Sequence, residues 1–217
     1  SLAFMGSNAT ASGTDFTPSN ASGMSAANGT ALNDSVNPWW AGAAFEITAL
    51  DPFAFYADFN YGKIDAKDKR NDRQGWLADL AVEYKGLSFL TPSIYGWYST
   101  GIDDNVTNGD ERMPMISDGW AVGTTLYGAG RMQNNDFSNR GVVGTAGLGL
   151  KLGKISFLQD LTHDLYFYYV KGTNDADAVK NKGAALTYGL DLTDEDHIIA
   201  LDFNNTYKIM EELSFMV

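Results

Sequence analysis

From residue 39 onward, large apolar side chains alternate with small or polar ones over long stretches of the chain. In DPFAFYADFNYG (51–62), Phe53, Phe55, Ala57, Phe59 and Tyr61 share one parity; Ala54, Tyr56, Asp58, Asn60 and Gly62 share the other. Successive side chains of a strand point to opposite faces, so this spacing predicts a strand with one aromatic face and one polar face. WWAGAAFEITAL (39–50) sets Ala41, Ala43, Phe45, Ile47 and Ala49 against Gly42, Ala44, Glu46 and Thr48, and Asp51-Pro52 predicts a tight reversal between the two strands. GWLADLAVEYK (75–85) separates Trp76, Ala78, Leu80, Val82 and Tyr84 from Asp79, Ala81, Glu83 and Lys85. GVVGTAGLGLKLG (141–153) does the same with Val142, Ala146, Leu148, Leu150 and Leu152 against Val143, Thr145, Gly147, Gly149 and Lys151. HIIALDFNNTYKI (197–209) opposes Ile199, Leu201, Phe203 and Tyr207 to Ala200, Asp202, Asn204, Thr206 and Lys208.

DLYFYYVKG (164–172) reads as a strand dense in tyrosine, and LSFLTPSIYGWYSTG (87–101) as another in which Pro92 is expected to break the ladder and leaves the parity open. AALTYGLDL, within 173–196, is a strand or a β-structured loop. Leu213, Phe215 and Val217 begin a further alternating segment, so the chain is expected to be part of a longer polypeptide. About eight strands result, and the fold class is all-β and antiparallel.

Alternation alone does not say which solvent lies on each face. A soluble sandwich buries one face and wets the other, whereas a barrel in a membrane turns its apolar face to lipid. Connection lengths favour the barrel. Short turns (51–52, 86, 153–160, 210–212) interleave with long polar loops (7–37, 65–74, 102–139, 173–196), the asymmetry of outer-membrane barrels. Aromatics gather near strand ends, at Trp39, Trp40, Phe53, Tyr61, Trp76, Tyr84, Trp97, Tyr98, Tyr166, Tyr168, Tyr169 and Tyr207. Tyr and Trp suit the headgroup level of a bilayer. The second face carries small residues and scattered charge instead of the long charged side chains of a solvent-facing sheet, which fits a wall around a water-filled lumen.

Composition narrows the function classes. There are no cysteines, so disulfides, thiolate metal sites and thiol catalysis are excluded. No apolar run is long enough for a transmembrane helix, and the opening SLAFMGS has neither a basic start nor a long apolar run, so no signal peptide is read there. A formal net charge of −12 argues against nucleic acid and suits a solvated surface, divalent cations or a cation-favouring channel. Residues 7–37 are almost all Ser, Thr, Asn, Gly and Ala, a surface loop whose Asn-x-Ser/Thr triplets (Asn8, Asn20, Asn28, Asn33) are expected from such a composition alone.

Candidate chemistry is sparse. His163 and His197 each adjoin an aspartate, Asp164 and Asp196, but no nucleophile motif accompanies either, so the chain is not expected to be an enzyme. Asp103, Asp104, Asp175 and Asp177 are oxygen ligands suited to calcium but lack the full calcium-loop spacing, so solvated loop tips are the simpler reading. No metal or cofactor is expected. GLGLKLG is no phosphate loop, since Leu148, Leu150 and Leu152 alternate through it; its glycines are expected to let the strand bend.

ALDPFAFYADFNYG, GWLADLAVEYKGLSFLTPSIYGWYSTGIDD, ERMPMIS and YKIMEELSF together resemble the outer-membrane homotrimeric porins of sulfate-reducing, Gram-negative bacteria. The resemblance covers roughly residues 38–120 and, more loosely, 160–217. It implies a porin-like transmembrane barrel, about twice this length and of about sixteen strands, in which passive diffusion carries small hydrophilic solutes and ions. It also implies a homotrimer in contact with membrane lipid and lipopolysaccharide. On that reading Glu46, Asp58, Asn60, Asp79, Glu83, Lys85, Lys151 and Asp202 line the pore. The segment 102–139 is the candidate constriction loop, with Asp103, Asp104, Asp110, Glu111 and Arg112 as its charges, or else a cap over the outer mouth. The acidic excess on the wall predicts a weak cation preference. Two alternatives stay open: a soluble or surface-exposed β binding or adhesin module, and a structural barrel that does not conduct.

Overall fold

The computed structural model describes residues 2–4, 9–10, 35–66, 69, 72–105, 107–114, 143–181 and 192–216. They form a single antiparallel sheet of ten strands. Two strands are very short, β1 (Leu2–Phe4) and β2 (Ala9–Thr10), and both pair with β3 (Ser35–Leu50). The rest form an unbroken meander: β3, β4 (Phe53–Ala66), β5 (Arg73–Tyr84), β6 (Thr91–Ser99), β7 (Thr145–Leu158), β8 (Leu161–Gly172), β9 (His197–Met210) and β10 (Leu213–Met216). The sheet is open: among the described residues no ladder joins β10 to β1.

Register makes the predicted faces concrete. Ile47, Phe55, Val82, Ile94, Leu150, Phe167 and Leu201 lie directly opposite one another across seven consecutive strands. Phe45, Ala57, Leu80, Gly96, Leu148, Tyr169 and Ile199 form the neighbouring row. This face is bare: Phe45 is 63% exposed, Leu148 61% and Leu201 66%. The hydrophobic core lies on the other face, where Leu77, Trp97, Tyr168, Val170 and Ala200 pack with Met113, Val143 and Leu192 from the connections.

Several local expectations change. Pro92 does not break its strand; as the second residue of β6 it pairs with Leu152 and shares the apolar parity of Ile94 and Tyr98. The connection expected over 153–160 is mostly strand, because β7 runs on to Leu158 and only Gln159 and Asp160 turn. A register shift after Leu152 allows this, with Lys154 in the left-handed region (φ 56°) and its N–H donated to the Asp164 carboxylate at 2.9 Å. Asp160 takes the same conformation (φ 63°) in the turn, which Asp tolerates better than most residues. A short helix, α1 (Ala176–Asn181), opens the connection after β8. Of 7–37 only Ala9–Thr10, as β2, and 35–37, as the start of β3, are described. AALTYGLDL up to Asp191 and residues 115–142 lie outside the described residues.

Candidate functional site: the polar face and the loop folded on it

The candidate wall residues fall on one face by register. Asp58 lies opposite Asp79, and Glu46 opposite Tyr56. One step toward the short turns, Glu83, Ser93, Lys151, Tyr166 and Asp202 form a row of five polar residues across β5–β9. Asn60 donates to the Asp58 carboxylate at 2.5 Å. Tyr56 donates its hydroxyl hydrogen to Glu83 at 3.2 Å. Lys85, just past β5, reaches the Tyr56 hydroxyl at 3.3 Å and Glu83 at 3.7 Å. Lys151 sits over the Tyr166 ring, 5.2 Å from its centroid.

No family model, curated protein or solved structure matches this chain.

Residues 110–114 lie on the polar face, at the end where the long connections emerge. Asp110 pairs with Arg73 through an isolated parallel bridge, with backbone bonds from Gln74 N–H to Asp110 O (3.1 Å) and from Asp110 N–H to Asp72 O (2.9 Å). Gly62 and Gly75, opposite each other on β4 and β5, make room: a Cβ on Gly75 would strike the backbone of Glu111 and Met113, and one on Gly62 would meet Trp40 and Pro114. The Trp40 indole N–H donates to Pro114 O.

The five candidate loop charges do not act as one set. Asp110 and Arg112 are buried together with Arg73, whose guanidinium lies 2.6 Å from the Asp110 carboxylate; Arg112 approaches it to 2.9 Å. Asp103, Asp104 and Glu111 instead line an open cleft of about 390 Å³ with Asp175 and Asp194. Glu111 accepts the Asp103 N–H at 3.1 Å, yet burial pushes its carboxyl above the usual range. Of the four candidate calcium ligands, Asp103, Asp104 and Asp175 line this cleft, whereas Asp177 sits in the first turn of α1. Among the described residues no group of three or more His, Cys, Asp or Glu side chains is arranged to hold a metal ion.

Neither histidine meets its neighbouring aspartate as a catalytic pair. His163 bonds Asn205 at 2.6 Å and stacks on Phe203, while Asp164 is taken by Lys154 N–H. His197 stacks on Tyr169, and Asp196 accepts the Thr193 hydroxyl at 2.8 Å.

Three residues at this site escape pattern reading. Arg73 was one cation in a charged loop until Asp110 came to it. Asn174 joins three connections, accepting Ile102 N–H at 3.2 Å and donating to Gly144 O and Leu192 O at 3.2 and 2.6 Å. Met113 plugs the core from sequence that reads as loop. The aromatic list also divides. Trp40, Trp97, Tyr166 and Tyr168 point to the polar face, so they belong to the filling there; Trp97 donates to the Thr145 hydroxyl at 3.0 Å. On the apolar face, instead, Trp39 packs against Tyr61, and Trp76 packs against both Phe59 and Tyr98.

Proposed function

We propose that this chain forms wall and loop of an outer-membrane β-barrel through which small hydrophilic solutes and ions diffuse passively, with a weak preference for cations. The observation that carries the reading is the pair of uninterrupted apolar rows, Ile47 to Leu201 and Phe45 to Ile199, on the bare face of a sheet whose other face holds the charges. A soluble protein would need a second layer over fourteen such positions, and none is present among the described residues; hydrocarbon solvates them directly. Aromatics border the rows at both ends, with Trp39, Tyr61, Trp76 and Tyr98 toward the long connections and Phe53 and Tyr84 toward the short turns. From Phe53 to Tyr61 the strand runs nine residues, within the roughly 9–11 that a tilted barrel strand needs to cross a bilayer core.

Passage on this reading runs along the polar face, and the segment 102–114 narrows it. Asp58, Asp79, Glu83, Glu46 and Asp202 against Lys85 and Lys151 leave the wall net negative, which favours cations. One observation favours a barrel that does not conduct: Met113, Val143 and Leu192 cover the polar face at the loop end. Planar-bilayer recording separates the two. Stepwise conductance with a cation-favouring reversal potential in a salt gradient supports the channel; a reversal potential favouring anions removes the proposed selectivity, and a silent bilayer leaves the structural barrel.

A further inference from the structure

Beside the row Glu83–Ser93–Lys151–Tyr166–Asp202 runs a second one, one side-chain step toward the long connections: Tyr56, Ala81, Tyr95, Gly149, Tyr168 and Ala200. Large and small residues alternate in it, and the rings use the space that the small ones leave. A Cβ on Gly149 would run into the phenol end of Tyr95, and one on Gly147 into the six-membered ring of Trp97. Tyr95 and Trp97 lie within 15° of one plane, their centroids 6.4 Å apart. The far ends of both rings therefore occupy the side-chain space of glycines on β7, close against the wall. Trp97 and Tyr168 are covered, being buried in the cluster with Met113. Tyr95 and Tyr166 are only half-buried, at the margin of that cluster.

We propose that Tyr95 and the polar row beside it form a subsite for a neutral saccharide, which stacks one ring face on Tyr95 while its hydroxyls meet Glu83, Lys151 and Tyr166, the half-buried members of a row in which Ser93 is buried. A pyranose carries C–H bonds on its faces and hydroxyls around its rim, so it needs an apolar platform and hydrogen-bonding groups of both kinds a few ångströms to one side. The wall offers that pairing. Two residues along a strand separate platform from polar row by about 7 Å, and neighbouring strands space the polar groups at about 4.8 Å. Signs along the row run negative, neutral, positive, neutral, negative, so donors and acceptors alternate over a small net negative charge. Asp58 and Asp79, one step beyond the platform, add a charge that disfavours anions. The subsite rests on the reading of this face as a wetted wall and names a class of solute for it.

Saturation-transfer NMR of the detergent-solubilised chain with maltotriose tests the subsite, and bilayer conductance of the same preparation tests the channel reading separately. Transfer from protein to sugar in the wild type, about tenfold weaker binding in Tyr95→Ala and near-unchanged binding in Tyr95→Phe is the expected result. Lys151→Met, which removes the ammonium alone, carries the same expectation of weakened binding where Tyr95→Ala fails to assemble. Absence of transfer in the wild type overturns the proposal, as does equal binding by wild type and Tyr95→Ala. Conductance without sugar binding defeats the subsite alone, whereas sugar binding without conductance defeats the channel and leaves the subsite standing.

Discussion

Asn174 is fully buried, and its amide serves backbone from three separate connections: Ile102, Gly144 and Leu192. Gly144 O keeps a second donor, the Thr173 N–H at 2.9 Å, so Asn174→Ala strands mainly the Ile102 and Leu192 groups. The expected loss is about 2–4 kcal/mol, read as a lower denaturant midpoint in detergent. Asp110 is the other fixed point. Asp110→Asn leaves Arg73 and Arg112 facing each other without the carboxylate between them, at a cost of about 3–5 kcal/mol. Glu111 supplies a pH dependence of opposite origin. Burial raises its folded-state pKa, so the stability it contributes is present below its unfolded pKa and is lost as pH rises through the folded one. Glu111→Gln should flatten that decline, visible as a shrinking difference in stability between wild type and variant toward acid pH.

At the scale of elements, the period of two was readable because each side chain has only two directions to choose from, and nearly every strand was found within a few residues. Pro92 misled because a proline at a strand's second residue can leave the ladder intact. The end of β7 was missed for another reason: a register shift absorbed by Lys154 leaves no mark in a hydrophobic pattern. The glycines Gly147 and Gly149, which read as places for the strand to bend, also receive the rings of Trp97 and Tyr95. The segment 102–114 is held by the same device, since Gly75 yields its side-chain volume to the backbone of Glu111 and Met113. Gly75→Ala should push this segment off the wall. Faster proteolysis between residues 102 and 114, together with larger single-channel conductance, is the expected signature; an unchanged cleavage rate would show that the segment is held elsewhere.

For the whole molecule, the two faces lead to opposite mutational outcomes at adjacent positions. Ala57 stands in an apolar row between Phe45 and Leu80, so Ala57→Arg places a charge where the proposal puts lipid, at about 2–4 kcal/mol near mid-depth. Loss of the heat-modifiable band on gels is expected. Asp58→Lys, one residue on, faces Asp79 across the polar wall and should assemble normally while shifting the reversal potential away from cations. Equal assembly of both variants would remove the lipid from the proposal.

What the sequence determined by itself was the all-β class, the parity of most strands and the chemistry of each face, because these depend on local geometry that repeats every two residues. It also placed the candidate wall residues on one face. Tertiary structure decided which of them meet: the row from Glu83 to Asp202, the Arg73–Asp110–Arg112 cluster, the joints made by Asn174 and the seating of Tyr95 on Gly149. These contacts join residues dozens of positions apart, and their partners are set by strand register and by where a connection folds back. Neither quantity has a period, so neither can be counted along the chain.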